Sequence, residues 1–479
     1  MISTIYQWLT FIEENYAERI ALQYVANGEV KQITYNKYTQ DIRKAATYFK
    51  VSFQDIEGKH VAILAKNSYA YLVNLLGVIM AGGVAVTLNT EESWEKLQDI
   101  IEFADVSVIY YDGNYVEEEK LVEKYNHILF AMDLYEKQEA IEKWTDHTDT
   151  NNPALLMFTS GTTGRGKGIL LSQKNLLTRL NQCKDSYDME PGRPTQTFLM
   201  MLPLYHVSGI AVALGFASVG CTINMCNNLK YIYRDIRMME SEHTVVVPMI
   251  LKMWYKDIAA GRVERLRGIK LIACAGAAMD AEIFESFRKY GIKICKAYGM
   301  TETCGDGTVN PGLVAEKDNS VGVATAACQV KIIDGEVCLK SDAVMLGYYK
   351  QPEETAKMIQ DGWIHTGDLG YLDEEGYLYL NGRKNNLIIL SSGENINPEE
   401  LERILYQNEL VEEVVVTAKE DKLCAHIYCK ASAQDGIREY ITESNKNLAL
   451  YKRITEVVFT DAPLPKTATG KIMRNMVER

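Results

Sequence analysis

Apolar residues along the chain fall into two alternating kinds of block. Short continuous runs, His60-Val-Ala-Ile-Leu64, Gly83-Val-Ala-Val-Thr87, Val106-Ser-Val-Ile-Tyr110, Thr244-Val-Val-Val-Pro248, Ile269-Lys-Leu-Ile-Ala273 and Lys293-Ile-Cys-Lys296, are separated by amphipathic segments of helical length. Strands that alternate with helices predict mostly parallel sheets with helices on their faces, and the near-continuous apolar runs are those of strands covered on both sides. After about residue 320 the rhythm changes to close-set strand patterns, Gln329 to Ile333 and Glu336 to Lys340, with turn signals at Asp334-Gly335 and Glu375-Gly376. That portion is expected to be a small β subdomain.

A polar break, Lys384-Asn-Asn386, then interrupts two apolar strand patterns and reads as a hinge. Beyond it, Asn397-Pro-Glu-Glu400 is a helix start, with a capping amide, proline at the first helical position and acids in the first turn. Strand patterns near Val411 to Thr417, Leu423 to Lys430 and Ile454 to Thr460, with a helix near Asp435 to Asn447, complete a compact α+β domain of about 95 residues. The expected fold class is therefore α/β. A large N-terminal domain over 1–384, with mostly parallel sheets covered by helices plus the small β subdomain, precedes a small mobile α+β domain over 385–479.

The strongest chemical signal is Thr159-Ser-Gly-Thr-Thr-Gly-Arg-Gly-Lys-Gly168, directly after the apolar run Ala154 to Phe158. Small residues let backbone N–H groups converge and Lys167 and Arg165 add positive charge, which makes an anion cradle and suggests ATP. The spacing of Gly161, Gly166 and Lys167 satisfies the first part of a P-loop, but Gly168 stands where Ser or Thr must hold magnesium. The following Ile169 to Leu171 and Ser172-Gln-Lys-Asn175 read as a strand and then a helix cap, not as a helix facing phosphates.

Four further segments follow in order: Leu202-Pro-Leu-Tyr-His206, Ala297-Tyr-Gly-Met-Thr-Glu302, His365-Thr-Gly-Asp-Leu369 with Gly382-Arg383, and Pro465-Lys-Thr-Ala-Thr-Gly-Lys471. Together with the Gly-rich loop, and over nearly the whole chain, they resemble the adenylate-forming superfamily of acyl-CoA synthetases, stand-alone adenylation domains and luciferases. The resemblance implies that Thr159, Ser160, Gly161, Thr162, Thr163, Gly164 and Lys167 hold the β- and γ-phosphates of ATP. It also implies that Thr301 contacts the α-phosphate, that Glu302 binds Mg²⁺, and that Gly276, Ala277 and Ala278, with Tyr298, Gly299 and Met300, enclose the adenine. Asp368 would accept from the ribose hydroxyls with Arg383 beside it, as an ionised acceptor can. Lys471 would bridge carboxylate and α-phosphate during adenylation. The C-terminal domain would then rotate about Asn385, and a thiol would reach the adenylate near Ser392, Gly393 and Glu394.

Three departures from the family pattern stand out. Gly166 replaces a usual proline, which predicts a more flexible loop; Asn385 replaces a usual Asp or Lys at the hinge; Ser392-Gly393 replaces a glycine pair. His206 stands where amino-acid-activating domains carry an aspartate for the α-ammonium group, which disfavours amino acids. With Val207, Val247, Met249, Ala275 and Met300 it would line an apolar acyl pocket suited to an aromatic or medium aliphatic acid, as in aryl or fatty acyl-CoA ligases and o-succinylbenzoate-CoA ligase. The expected partner is a small carboxylic acid. Three readings stay open: transfer to coenzyme A, transfer to the phosphopantetheine thiol of an acyl carrier protein, and a nucleotide-binding protein without catalysis.

The remaining features narrow the class. With 479 residues, at least two domains are expected. The formal net charge of −13 without a basic block argues against nucleic acid and anionic membrane surfaces, so the ATP site must be locally basic. Ala70 to Val86, interrupted by Asn74 and Gly82-Gly83, and Val207 to Cys226, rich in Ser, Gly, Thr and Asn, are expected to be buried helix–strand pairs and not membrane spans. The N-terminus has no cationic start before an apolar segment and runs into Glu13 and Glu14, so no cleaved signal and a cytoplasmic location are expected. Ten scattered cysteines without Cys-x-x-Cys are expected to be reduced and buried, and the seven histidines show no metal spacing.

Overall fold

The computed structural model describes every residue except 1, 54, 142–143, 145, 147–148, 160–164, 187–192, 194–195, 276–280, 392, 420, 467–471 and 478–479. The chain packs as two compact units, residues 1–330 with 339–364, and residues 331–338 with 365–479. By packing, the 365–384 segment thus lies with the C-terminal residues.

The first unit holds two large sheets. One has the strand order Gly347–Tyr348, Gly168–Ser172, Pro153–Phe158, Val84–Leu88, His60–Leu64, Val108–Tyr111, Leu129–Ala131. Its pairings are parallel from Pro153–Phe158 through Leu129–Ala131, while Gly168–Ser172 is antiparallel to both its neighbours. The second sheet is parallel through Ile20–Ala26, Thr222–Met225, Thr197–Met200, His243–Val246, Leu271–Ala275 and Lys293–Gly299, with antiparallel strands at both edges, Glu29–Thr34 at one and Gly307–Asn310 then Val323–Ala324 at the other.

Both suspect apolar stretches resolve as expected. Tyr69–Met80 and Val207–Ala217 are helices buried almost all round, each followed by a strand, and among the described residues no helix is long and apolar enough to cross a membrane. Ser68 caps the first through its side chain, which accepts from the Tyr71 N–H. Its Gly77 meets the helix Tyr35–Ser52, where an added Cβ would lie 2.6 Å from the Ala45 Cβ. Leu72, Leu75 and Leu76 are fully buried, each contributing about 1.5–3 kcal/mol. A leucine at position 77 would separate the two helices.

In the second unit, Glu413–Lys419 and Lys422–Tyr428 form an antiparallel hairpin, with Ile454–Thr460 parallel to the latter. Leu401 and Leu405 of the helix Pro398–Tyr406, and Ile437 and Ile441 of the helix Gln434–Lys446, pack into one core with Val414, Val416, Ala425 and Ile427. Asn397 caps the first helix by accepting from the Glu399 N–H at 3.1 Å, as its sequence predicts.

Candidate functional site

The Gly-rich segment is a hairpin loop closed at its base. It joins the antiparallel strands Pro153–Phe158 and Gly168–Ser172. The Thr159 N–H donates to the Lys167 carbonyl at 3.1 Å, and the Lys167 N–H to Thr159 Oγ1 at 3.3 Å. Residues 160–164, at the expected phosphate-binding tip, lie outside the described residues. Gly166 sits at φ +80°, a conformation closed to proline with its φ near −65°; this loop therefore uses Gly166 for its backbone path, beyond the flexibility read from the sequence. Asn175 and Ser172 exchange cap hydrogen bonds, Ser172 N–H to Asn175 Oδ1 at 2.8 Å and Asn175 N–H to Ser172 Oγ at 3.2 Å, and begin the helix Gln173–Ser186. The strand-then-helix order excludes a P-loop.

Glu302 is brought to the base of this loop by the strand Gly347–Tyr348. Tyr348 is in register with Ile169, so its side chain lies beside Lys167. The Lys167 ammonium sits 4.6 Å from the Tyr348 ring centroid and 2.7 Å from Glu354. The Tyr348 hydroxyl donates to Glu302 Oε1 at 2.8 Å, and the Met345 N–H to the Glu302 carbonyl at 2.8 Å. Burial, with Glu302 beside it, raises the Tyr348 phenol well above its ordinary value, so it stays a donor. Lys167 and Lys357 hold the half-buried Glu354 carboxyl down at about 2.

Glu302 itself is 8 % exposed and lies in a tight turn that follows the strand Lys293–Gly299. The Gly305 N–H closes on the Met300 carbonyl at 2.8 Å, and Cys304 takes φ +53°. Gly299 is needed there, since a Cβ would lie 2.7 Å from the carbonyls of Gly305 and Asp306. Thr301, Met300 and Tyr298 stand half-buried around Glu302 in sequence. Among the described residues no three His, Cys, Asp or Glu side chains gather as a metal cage. A single oriented carboxylate is the donor set of a magnesium ion shared with nucleotide phosphates, so Glu302 fits that ion.

The Leu202-to-His206 segment is pinned by a residue the sequence reading missed. Asn67 accepts from the Leu204 N–H and donates to the Leu202 carbonyl, both at 2.8 Å, and the Thr87 hydroxyl donates to the Tyr205 carbonyl at 3.1 Å. His206 stands at the N-cap position of the helix Val207–Ala217 without a side-chain cap hydrogen bond, and Gly209 of that helix comes so close to Pro203 that a Cβ would lie 2.2 Å from its carbonyl oxygen. Burial pushes the His206 imidazole below the usual histidine range. Of the acyl-pocket set, Val207 is buried, Val247 and Met300 are half-buried, and Met249 is 63 % exposed on the first turn of the helix Pro248–Ala259. Ala275 ends the strand Leu271–Ala275, paired with Ala297; Gly276, Ala277 and Ala278 lie outside the described residues.

In the second unit, Asp368 and Arg383 come together. They are register partners on antiparallel strands, and Arg383 Nε lies 2.6 Å from Asp368 Oδ1. Beside them Glu336, also missed in sequence, accepts from the Gly367 N–H at 2.9 Å, and its other oxygen lies 3.0 Å from Lys384 and 3.3 Å from His365. Burial raises the Glu336 carboxyl, but Lys384, the Gly367 N–H and His365 outweigh it and leave it lowered. Gly382 has φ +144°, and an added Cβ would lie 2.4 Å from the Asn397 side-chain amide.

Asn385 is exposed in the one-turn 3₁₀ segment Lys384–Asn386. The loop carrying Gly393 and Glu394 is tied down by Ser391, whose N–H donates to Asp421 Oδ1 at 2.9 Å; Ser392 lies outside the described residues. So does Lys471, though its flanks are fixed. Lys466 bridges Ile472, the Met473 N–H donates to the Pro465 carbonyl at 2.8 Å, and Arg474 pairs with Glu402 at 2.7 Å. The nine cysteines whose side chains are described are in no disulfide and are buried. Burial pushes the thiols of Cys226, Cys274, Cys295, Cys304 and Cys328 up to about 12.

The family model described as AMP-binding enzyme matches residues 11–349, and that described as AMP-binding enzyme C-terminal domain matches 385–479. The 2-succinylbenzoate–CoA ligase of Bacillus subtilis (strain 168) is 28 % identical over 98 % of this chain and 97 % of its own. A long-chain-fatty-acid–CoA ligase of the same organism is 27 % identical, over 93 % and 89 %. The solved o-succinylbenzoate CoA synthetase of Bacillus subtilis superposes with a TM-score of 0.84 in complex with its acyl-adenylate intermediate, at 27 % identity and covering 98 % of each chain. With ATP and magnesium ion the TM-score is 0.83, at 27 % identity, over 98 % of this chain and 99 % of that one. With both models matched in order along most of the chain, this protein belongs to the AMP-binding enzyme family.

Proposed function

We propose that this protein is an AMP-forming acid–thiol ligase that activates a small carboxylic acid with ATP and transfers the acyl group to coenzyme A. The observation that carries the reading is the convergence of Lys167 and Glu302 on Tyr348 at the closed base of the Gly-rich hairpin. A carboxylate cannot be acylated onto a thiol directly, because its leaving group would be oxide. In the first step a carboxylate oxygen attacks the α-phosphorus, the bond to the β-phosphate oxygen breaks, and pyrophosphate leaves. In the second the sulfur of coenzyme A attacks the acyl carbon, the acyl–oxygen bond breaks, and AMP leaves.

The first step crowds negative charge, so it needs fixed cations and in-line placement. Lys167 and the loop tip hold the β- and γ-phosphates. Thr301 contacts the α-phosphate. Glu302 holds Mg²⁺, which neutralises phosphate charge when bound. Asp368, paired with Arg383, accepts from the ribose, and Lys471 reaches the α-phosphate from the 385–479 domain. Rotation at Asn385 then replaces Lys471 with the thiol path past Gly393 and Glu394. His206, neutral through burial, offers no anion to an α-ammonium group, so the acid lacks that group; relatives acting on 2-succinylbenzoate and long-chain fatty acids support an aromatic or aliphatic acid. Because those relatives are CoA ligases, coenzyme A is the proposed acceptor and a carrier protein has no support from them.

The test is pyrophosphate release over a panel of 2-succinylbenzoate, phenylpropionate, a medium-chain fatty acid, phenylalanine and leucine, with and without coenzyme A. Acid-dependent AMP and pyrophosphate, with a thioester formed only when coenzyme A is present, is expected. Acid-independent ADP and phosphate, or preference for the amino acids, overturns the reading.

A further inference from the structure

We infer that Tyr348 is a positioning residue that ties the magnesium carboxylate to the phosphate-loop lysine, its hydroxyl orienting Glu302 and its ring carrying Lys167. The inference rests on the roles proposed above for those two residues and adds a third that touches neither metal nor nucleotide. The hydroxyl-to-Oε1 hydrogen bond of 2.8 Å occupies one lone pair of a buried carboxylate and restrains its rotation. The ring face 4.6 Å from the Lys167 ammonium gives the cation a resting place, alongside Glu354, that a phosphate can compete for.

Both contacts follow from backbone pairing. The strand Gly347–Tyr348 is hydrogen-bonded to Gly168–Ser172, with Tyr348 opposite Ile169, and Met345 just before it donates to the Glu302 backbone. The Gly347 φ of +147°, with a Cβ there meeting Thr355 at 2.9 Å, holds the strand in this path. The Tyr348 N–H donates to Thr355 Oγ1 at 2.8 Å on the same side. One rigid residue thus sets the spacing between a cation meant for phosphate and an anion meant for the metal.

The test separates the two contacts. Tyr348→Phe keeps the ring and loses the donor; Tyr348→Leu loses both. Manganese binding to the complex with α,β-methylene-ATP is read by electron paramagnetic resonance, and affinity for the analogue is read separately in EDTA. Tyr348→Phe should weaken manganese binding about 10-fold, the scale for a hydrogen bond to a charged group, with analogue affinity in EDTA within about 2-fold of wild type. Tyr348→Leu should weaken both, and neither variant should change the KM of the carboxylic acid. Unchanged manganese binding in Tyr348→Phe, or equal losses in both readouts for that variant, overturns the inference. Glu302→Gln is the control. If it leaves manganese binding intact, the proposed role of Glu302 fails; if it weakens binding while Tyr348→Phe does not, only the role of Tyr348 fails.

Discussion

Replacing Gly382 by alanine should destabilise the unit that holds the Asp368–Arg383 pair, and the structure sets the size of the effect. At φ +144° an L-residue is strained, at a cost of about 1–3 kcal/mol. The new methyl would also lie 2.4 Å from the Asn397 amide, so Asn397 must rotate away and release the Glu399 N–H that it caps, worth about another 1 kcal/mol. The sum, about 2–4 kcal/mol, corresponds to a melting temperature lower by roughly 10 °C for a unit of this size. Calorimetry on the full chain reads it as an earlier transition. A second variant isolates the steric part: Asn397→Ser keeps a capping oxygen on a shorter side chain, so Gly382→Ala with Asn397→Ser should recover about 1 kcal/mol relative to Gly382→Ala alone. A melting temperature for Gly382→Ala within about 2 °C of wild type, or no recovery in the double variant, refutes the close approach as the reason for glycine at this position.

Three other outcomes are expected. Lys471→Ala should slow adenylate formation by about 10²-fold or more while synthetic acyl-AMP and coenzyme A still give thioester; equal losses in the two half-reactions would count against domain alternation. Burial lowers the His206 pKa, so above about pH 6.5 its contribution to stability is intact, and it is lost as pH falls below that value because only the unfolded chain takes up the proton; His206→Gln should flatten the acid limb of a denaturation–pH series. Glu402 behaves oppositely. Burial, opposed by Arg474, pushes its carboxyl up to about 7, so stability present below about pH 4.5 is lost as pH rises through 7, and Glu402→Gln should remove that loss.

What could be read in sequence was what is local. The alternating runs fixed strands such as His60–Leu64 and helices such as Pro398–Tyr406 because period, caps and turn residues sit within a few positions of one another. The chemistry-bearing segments were legible for the same reason. Tyr348 was not, because it meets Glu302 across 46 residues and stands by Lys167 only through strand pairing. Glu336 meets Lys384 across 48 residues, and Glu354 meets Lys167 across 187; no local pattern marks either carboxylate. Gly166 was visible as a departure from proline, but its φ of +80° is a property of the hairpin and not of the residue name.

The buried thiols have a chemical consequence for a protein that makes acyl-adenylates. A mixed anhydride is open to any thiolate, and Cys304 lies two positions from Glu302. Burial pushes its thiol up to about 12, which holds that sulfur in the thiol form at neutral pH, and the side chain is fully buried. The same holds for Cys274, at the end of the strand that leads to the expected adenine wall. Self-acylation is thereby suppressed twice, by ionisation and by access, so a cysteine-containing active domain can hold its activated acyl group until an outside thiol arrives.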